Sequence, residues 1–100
     1  MARELYRYRF SESVSPRDLE ETLLLAVLAA ECLHGASRVR LDAAYSLDED
    51  ARACVIDAST VVGRDVSHLF TGFAAREFGE DAFSVERVGV ESEQRTMEAV

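Results

Sequence analysis

The sequence has no lysine, only two cysteines and no hydrophobic run long enough to cross a membrane. The longest apolar run, residues 23–30, contains eight residues, whereas a transmembrane helix needs about 20. The first seven residues place charged side chains among apolar ones, where a signal peptide requires an unbroken apolar stretch. We therefore expect a cytoplasmic protein without a membrane partner.

Positive charge is also scarce, because 11 basic residues, all of them arginine, stand against 19 acidic ones and give a net charge of -8. Nucleic-acid binding needs concentrated cations, and the field of an acidic chain opposes it. No nucleic-acid partner is predicted. A chain of 100 residues that is 48% hydrophobic can build one core. We predict one domain over residues 1–90 and a flexible, polar C-terminal tail over residues 91–100.

The cysteines and histidines do not form a recognisable metal site. Cys32, His34, Cys54 and His68 lack the Cys-x-x-Cys spacing that structural zinc sites usually show. In a reducing compartment the two cysteines stay free, and their positions on apolar faces predict that both are small core residues. We predict no metal and, since the sequence carries no nucleotide-binding signature, no cofactor. No nucleophile stands beside a base, so no catalytic residue is predicted and an enzyme ranks third among the possible functions.

The first half of the chain shows a strand followed by a helix. Tyr6, Tyr8 and Phe10 alternate with polar residues, so they form the inward face of a strand over residues 4–10. Ser15 and Pro16 then provide an N-cap and a first helical residue. The helix is predicted to run to Gly35, with Leu19, Leu23, Val27, Ala30 and Leu33 as its core stripe.

Two further stretches, residues 38–47 and 54–59, alternate apolar and polar residues and predict a β-hairpin. Its apolar faces match in one register, with the pairs Tyr45–Cys54, Ala43–Ile56 and Leu41–Ala58 and a loop over residues 48–51. That register places Asp42 opposite Asp57.

A second helix is predicted to begin after Asp65 as N-cap and to end at Gly79. Its apolar stripe comprises Val66, Leu69, Phe70, Phe73, Ala74 and Phe78. Phe83 and Val85 mark a last strand. The order βαββαβ predicts an α+β fold, a two-layer sandwich of the ferredoxin-like type. Its four-stranded antiparallel sheet has the order 4-1-3-2, and two helices cover one face.

The other sheet face is predicted to collect charged residues, namely Arg7, Arg9, Arg40, Asp42 and Asp57. One interpretation is a solvated set of surface ion pairs, each contributing about 0–1 kcal/mol. The alternative is a small-ligand-binding or sensor domain that grips an anionic metabolite with forked arginine contacts.

Helix one carries more apolar surface than a helix with one face in water should. Leu24, Leu28 and Cys32 lie behind its predicted core stripe. Either the second helix and the tail cover them, or another chain does. We favour a non-enzymatic interaction module that acts as a homodimer or as a small subunit docked on another protein.

Overall fold

The computed structural model describes residues 3–88. Its elements, in chain order, are β1 (Leu5–Phe10), α1 (Pro16–His34), α2 (Ala36–Asp42), β2 (Ala44–Asp48), β3 (Ala53–Asp57), α3 (Val61–Phe78), a 3-10 turn (Glu80–Ala82) and β4 (Phe83–Arg87). The tail predicted over residues 91–100 lies outside the described residues.

The four strands form one antiparallel sheet in the order β2-β3-β1-β4. This is the predicted order 4-1-3-2 in the opposite direction, so the α+β class and the strand order are confirmed. The helices number three among residues 3–88, one more than predicted.

Residues on one face of the sheet build the core. Tyr8 and Phe10 of β1 and Cys54 and Ile56 of β3 are all buried, and the pairing of Tyr8 with Cys54 places these residues on the same face. They pack with the buried stripes of α1 and α3 in a single cluster. The inward orientation predicted for the β1 aromatic residues is therefore confirmed.

Helix α1 begins and ends where local signals predict. The Ser15 hydroxyl accepts a hydrogen bond from the Asp18 amide at 3.1 Å, and Pro16 follows at the first helical position. At the other end Gly35 has a φ of 89°, a conformation that side chains disfavour, and its amide bonds the Glu31 carbonyl. Leu33, however, is 66% exposed, so its predicted place in the core stripe is wrong.

Helix α2 replaces the first half of the predicted second strand. Residues 36–42 are helical, with the Val39 amide bonded to the Gly35 carbonyl and the Ala43 amide to the Val39 carbonyl. Val39 is buried and Leu41 is 82% exposed, so the alternation of apolar and polar residues here does not mark a strand.

The hairpin register differs from the predicted one by two residues. Tyr45 lies opposite Ile56 and Leu47 opposite Cys54, and the connecting loop covers residues 49–52. A shift of two residues keeps each side chain on the same sheet face, because side chains alternate with a period of two. For residues 44–48 and 53–57 the faces were therefore predicted correctly and the partners were not.

Helix α3 begins before the predicted cap. The Thr60 hydroxyl accepts a hydrogen bond from the Gly63 amide at 2.9 Å, and helical structure starts at Val61. Asp65 therefore lies inside the helix and caps nothing. Gly79 ends the helix with a φ of 92°, as predicted.

The length and composition of the helices bear on membrane insertion. Among residues 3–88, no single helix is long and apolar enough to span a membrane. Helices α1 and α2 together reach the required length and hydropathy, but the chain bends by 119° between them.

Candidate functional site

The outward side of α1 carries three leucines that the fold does not bury. Leu24, Leu25 and Leu28 are 46%, 53% and 57% exposed. Cys32, one turn beyond Leu28, is exposed as well, which corrects its predicted role as a core residue. We call these four residues the leucine face. Leu24, Leu28 and Cys32, predicted as an interface, are thus brought together at steps of four residues on one side of a helix.

Helical spacing explains why these side chains point outward. The buried residues of α1 are Leu19, Thr22, Leu23, Ala26, Val27 and Ala30, and they take the opposite side of the helix. Polar residues continue the outward side toward the N-terminus, where Arg17 pairs with Glu21 at 3.3 Å. The leucine face therefore occupies the second half of a surface that begins as an ordinary charged one.

Two more exposed leucines were missed by sequence reasoning. The periodicity predicts Leu33 in the core stripe of α1 and Leu41 on the inward face of a strand. Leu33 lies in the last turn of α1, and no element among the described residues covers it. Leu41 is exposed because it belongs to α2 and not to the sheet. The exposure of Leu33 and of Leu41 therefore depends on where the neighbouring elements lie, which the sequence pattern does not show.

The open sheet face brings together three of its five predicted charged residues. Arg7 and Arg9 both contact the Glu86 carboxylate of β4, at 3.5 and 3.7 Å. Asp57 lies on the same face, where Arg3 pairs with it at 3.2 Å. Each of these contacts is a surface ion pair, which contributes little to stability.

The pKa of Asp57 reflects competing influences. Burial raises it, but hydrogen bonds from Ser59 and the nearby Arg3 guanidinium outweigh burial, so the pKa lies below its usual value of 3.8. The Ser59 amide donates to the carboxylate at 2.9 Å. The charged Asp57 carboxylate therefore accepts hydrogen bonds from Ser59 and fixes the chain directly after β3, which is a structural role.

Arg40 and Asp42 lie away from that face, because both belong to α2. The Asp42 carboxylate pairs with Arg38 at 2.7 Å, and its carbonyl accepts the Thr60 hydroxyl at 2.9 Å. Ala44 takes the position opposite Asp57. The predicted pair of facing aspartates does not exist, and the predicted arginine set is divided between two surfaces.

The remaining candidates for chemistry are separated or inert. His34 lies 2.7 Å from the Asp65 carboxylate and links the end of α1 to α3. Burial raises the pKa of the Cys54 thiol to about 12, so a reactive thiolate is disfavoured there. Within residues 3–88, no three His, Cys, Asp or Glu side chains lie close enough to hold a metal ion.

Comparison with protein-family models, with curated protein sequences and with solved structures found no match.

Proposed function

We propose that this protein is a non-enzymatic interaction module that forms a homodimer through the leucine face of α1. The carrying observation is the exposure of Leu24, Leu25 and Leu28 on consecutive turns of α1. The ferredoxin-like arrangement, with α2 inserted after α1, and a cytoplasmic location are part of this proposal. A different protein bound to the same face, as to a small accessory subunit, is the competing outcome.

The exposed leucine area sets the strength of such a dimer. Fully burying a leucine contributes about 1.5–3 kcal/mol, so burying the exposed half of one contributes about 1 kcal/mol. A two-fold interface uses the three leucines twice, for a total of about 6 kcal/mol. Loss of translational and rotational freedom costs about 4 kcal/mol or more. The surplus of about 2 kcal/mol corresponds to a dissociation constant of roughly 30 mM. A tighter dimer therefore also needs the apolar area of Ala29 and Cys32 and the contacts around the leucines.

A second copy fits this face because symmetry doubles the effect of each exposed side chain. The same apolar strip supplies both sides of the contact, and the exposed Glu20 and Glu21 stay at its N-terminal border. We therefore expect dimerisation that depends on protein concentration, with a dissociation constant set mainly by the leucines.

The test measures molar mass by sedimentation equilibrium across a wide concentration range. The wild-type protein is expected to shift from monomer to dimer, and the double variant Leu24→Glu, Leu28→Glu to remain monomeric. A matched control places the same two glutamates on another surface, at the exposed residues Leu41 and Val61. That control is expected to dimerise like the wild type.

Two outcomes would count against this interface. If the wild-type protein stays monomeric at high concentration, the proposed homodimer is wrong. A dimer that survives the leucine substitutions but is lost in the control variant places the contact at α2 and the start of α3.

The alternative function predicted from the sequence is binding of an anionic metabolite on the arginine-lined sheet face. This alternative is less well supported, because not all of the predicted residues lie on that face. Arg40 and Asp42 lie on α2, so Arg7 and Arg9 are the arginines of the predicted set that remain on this face. Ligand binding has better support at a different place in the molecule.

A further inference from the structure

A cavity of about 420 Å³ lies between α3 and the β1–β4 edge of the sheet. Tyr6, Tyr8 and Val85 line it from the sheet, and α3 contributes a flank of polar side chains. This flank adjoins the buried stripe of α3, and two of its members, Ser67 and Thr71, are small. The helix and the sheet therefore do not close completely here, so Tyr6 is only partly buried and Val85 is exposed. The volume falls within the range of small-molecule sites.

The deep end of the cavity is a closed hydrogen-bond network. The Tyr8 hydroxyl lies 2.7 Å from the Ser67 hydroxyl and 2.8 Å from the Thr71 hydroxyl. Thr71 in turn donates to the Ser67 carbonyl at 2.8 Å. A chain in which Ser67 donates to Tyr8, and Tyr8 to Thr71, uses every hydroxyl proton. The floor therefore has no free donor, and it presents mainly the tyrosine rings and Val85.

The donors that can reach a ligand lie at the mouth. Arg64 and His68 are four residues apart on α3, so they share one face of the helix, and both are exposed cavity-lining residues. Glu4 is the acidic side chain among the lining residues, and it is 3.9 Å from Arg64 and 3.8 Å from Arg87. Two guanidinium groups thus share one carboxylate through long contacts, in a chain whose net charge is -8.

From this juxtaposition we propose that the cavity binds a small carboxylate with an apolar body, an aromatic or short alkyl acid. The apolar part rests on Tyr6 and Val85, and the carboxylate meets Arg64 and His68 at the mouth. Charge-assisted bonds from a guanidinium fix the head group, whereas the Arg64 guanidinium repels an amine head. The site shares no residue with the leucine face, so it stands independently of the proposed dimer.

The experiment titrates the full-length ¹⁵N-labelled protein with phenylacetate and follows amide chemical shifts. Phenylacetamide and phenethylamine carry a similar ring on a neutral and a cationic head, so they isolate the contribution of the carboxylate. We expect phenylacetate to shift the amides of Arg64, His68, Thr71 and Val85, and the two analogues to shift them much less.

Three variants locate the contact. Arg64→Gln is expected to weaken phenylacetate binding by about tenfold, the effect of one charged hydrogen bond. Arg76→Gln removes the same charge from an exposed position later in α3 that does not line the cavity, and it is expected to change affinity by less than about twofold. Val85→Phe is expected to fill the cavity and block binding, while the circular dichroism spectrum stays unchanged.

The proposal is overturned if phenylacetate at about 10 mM, enough to fill even a weak site, shifts no amide around the cavity. It is also overturned if phenylacetamide binds equally well, or if Arg64→Gln and Arg76→Gln have equal effects. Shifts confined to the amides of Arg7 and Arg9 would return anion binding to the open sheet face.

Discussion

The junction between β3 and α3 leaves no room for a side chain at Gly63. A Cβ built at this residue would collide with the Asp57 carbonyl oxygen and lie 3.1 Å from the Thr60 hydroxyl. Ordinary van der Waals contact begins at 3.4 Å, so Gly63→Ala must push the start of α3 away from the end of β3 by about 1 Å or more. The nearest obstacle is backbone, which cannot rotate aside.

The expected cost combines three effects. Overpacking of this kind costs about 1–3 kcal/mol, and strain on the Thr60 cap costs about 1 kcal/mol more. The greater helix propensity of alanine returns about 1 kcal/mol. We expect Gly63→Ala to lower the free energy of unfolding by about 2 kcal/mol, which for a domain of this size lowers the Tm by roughly 10 °C.

Gly72 supplies the matched control, because it lies in the same helix and a Cβ there meets nothing within 4 Å. Gly72→Ala therefore gains the helix propensity without the clash, about 1 kcal/mol of stabilisation and a Tm higher by several degrees. Thermal unfolding of both variants, followed by circular dichroism, tests the pair. A Tm for Gly63→Ala equal to or above that of the wild type would refute the close approach of α3 to β3.

Two further predictions concern titratable side chains. Under native conditions a maleimide should modify the exposed Cys32 and spare Cys54, because the Cys54 thiol is buried and has a pKa of about 12. Peptide mass spectrometry measures the labelling rate of each cysteine. Equal rates for the two cysteines would contradict the prediction. Asp57 has a lowered pKa, so its charge stabilises the fold above the unfolded-state pKa, and that contribution disappears as the pH falls through the lowered folded-state pKa. Urea unfolding should show Asp57→Asn less stable than wild type at about pH 6, with the gap narrowing toward about pH 3, whereas a constant gap would argue against the hydrogen bonds from Ser59.

The two boundaries of α1 show what was predictable from local chemistry. Ser15 and Pro16 begin the helix, and Gly35 ends it, because capping depends on residues within one turn of the boundary. The start of α3 lacked such a clear signal. Thr60 and Asp65 are both acceptable caps, and the choice of Thr60 depends on contacts from outside the helix, including the bond from its hydroxyl to the Asp42 carbonyl.

The wrong strand prediction over residues 38–43 has a similar cause. Alternating apolar and polar residues can mark a strand, but a short helix with one buried residue fits the same pattern. In the fold, Val39 enters the core beside α1, and Leu41 points to solvent. That arrangement requires the chain to turn at Gly35. The alternation of apolar and polar residues does not predict this turn.

The leucine face was partly predictable, because a helix that is apolar on nearly every side must leave something uncovered. The alternation in β1 predicts Tyr6 and Tyr8 only as core residues, so it does not predict the cavity beside α3. Its existence depends on how far α3 lies from β4, and its polar character depends on residues about 60 positions apart in the chain, such as Glu4 and Arg64.

The sequence by itself determined the α+β class, the strand order, the inward face of β1 and the limits of α1. The inward face of β1 and the limits of α1 follow from periodicity and capping within a few residues. The class and the strand order follow from the order of the elements along the chain. Only the tertiary structure decided that residues 36–42 form a helix, that Arg40 and Asp42 leave the sheet, and that Leu33 joins the exposed leucines. Exposure and proximity are properties of neighbouring elements, so residues that are far apart in the chain acquire a shared surface only when the layers pack.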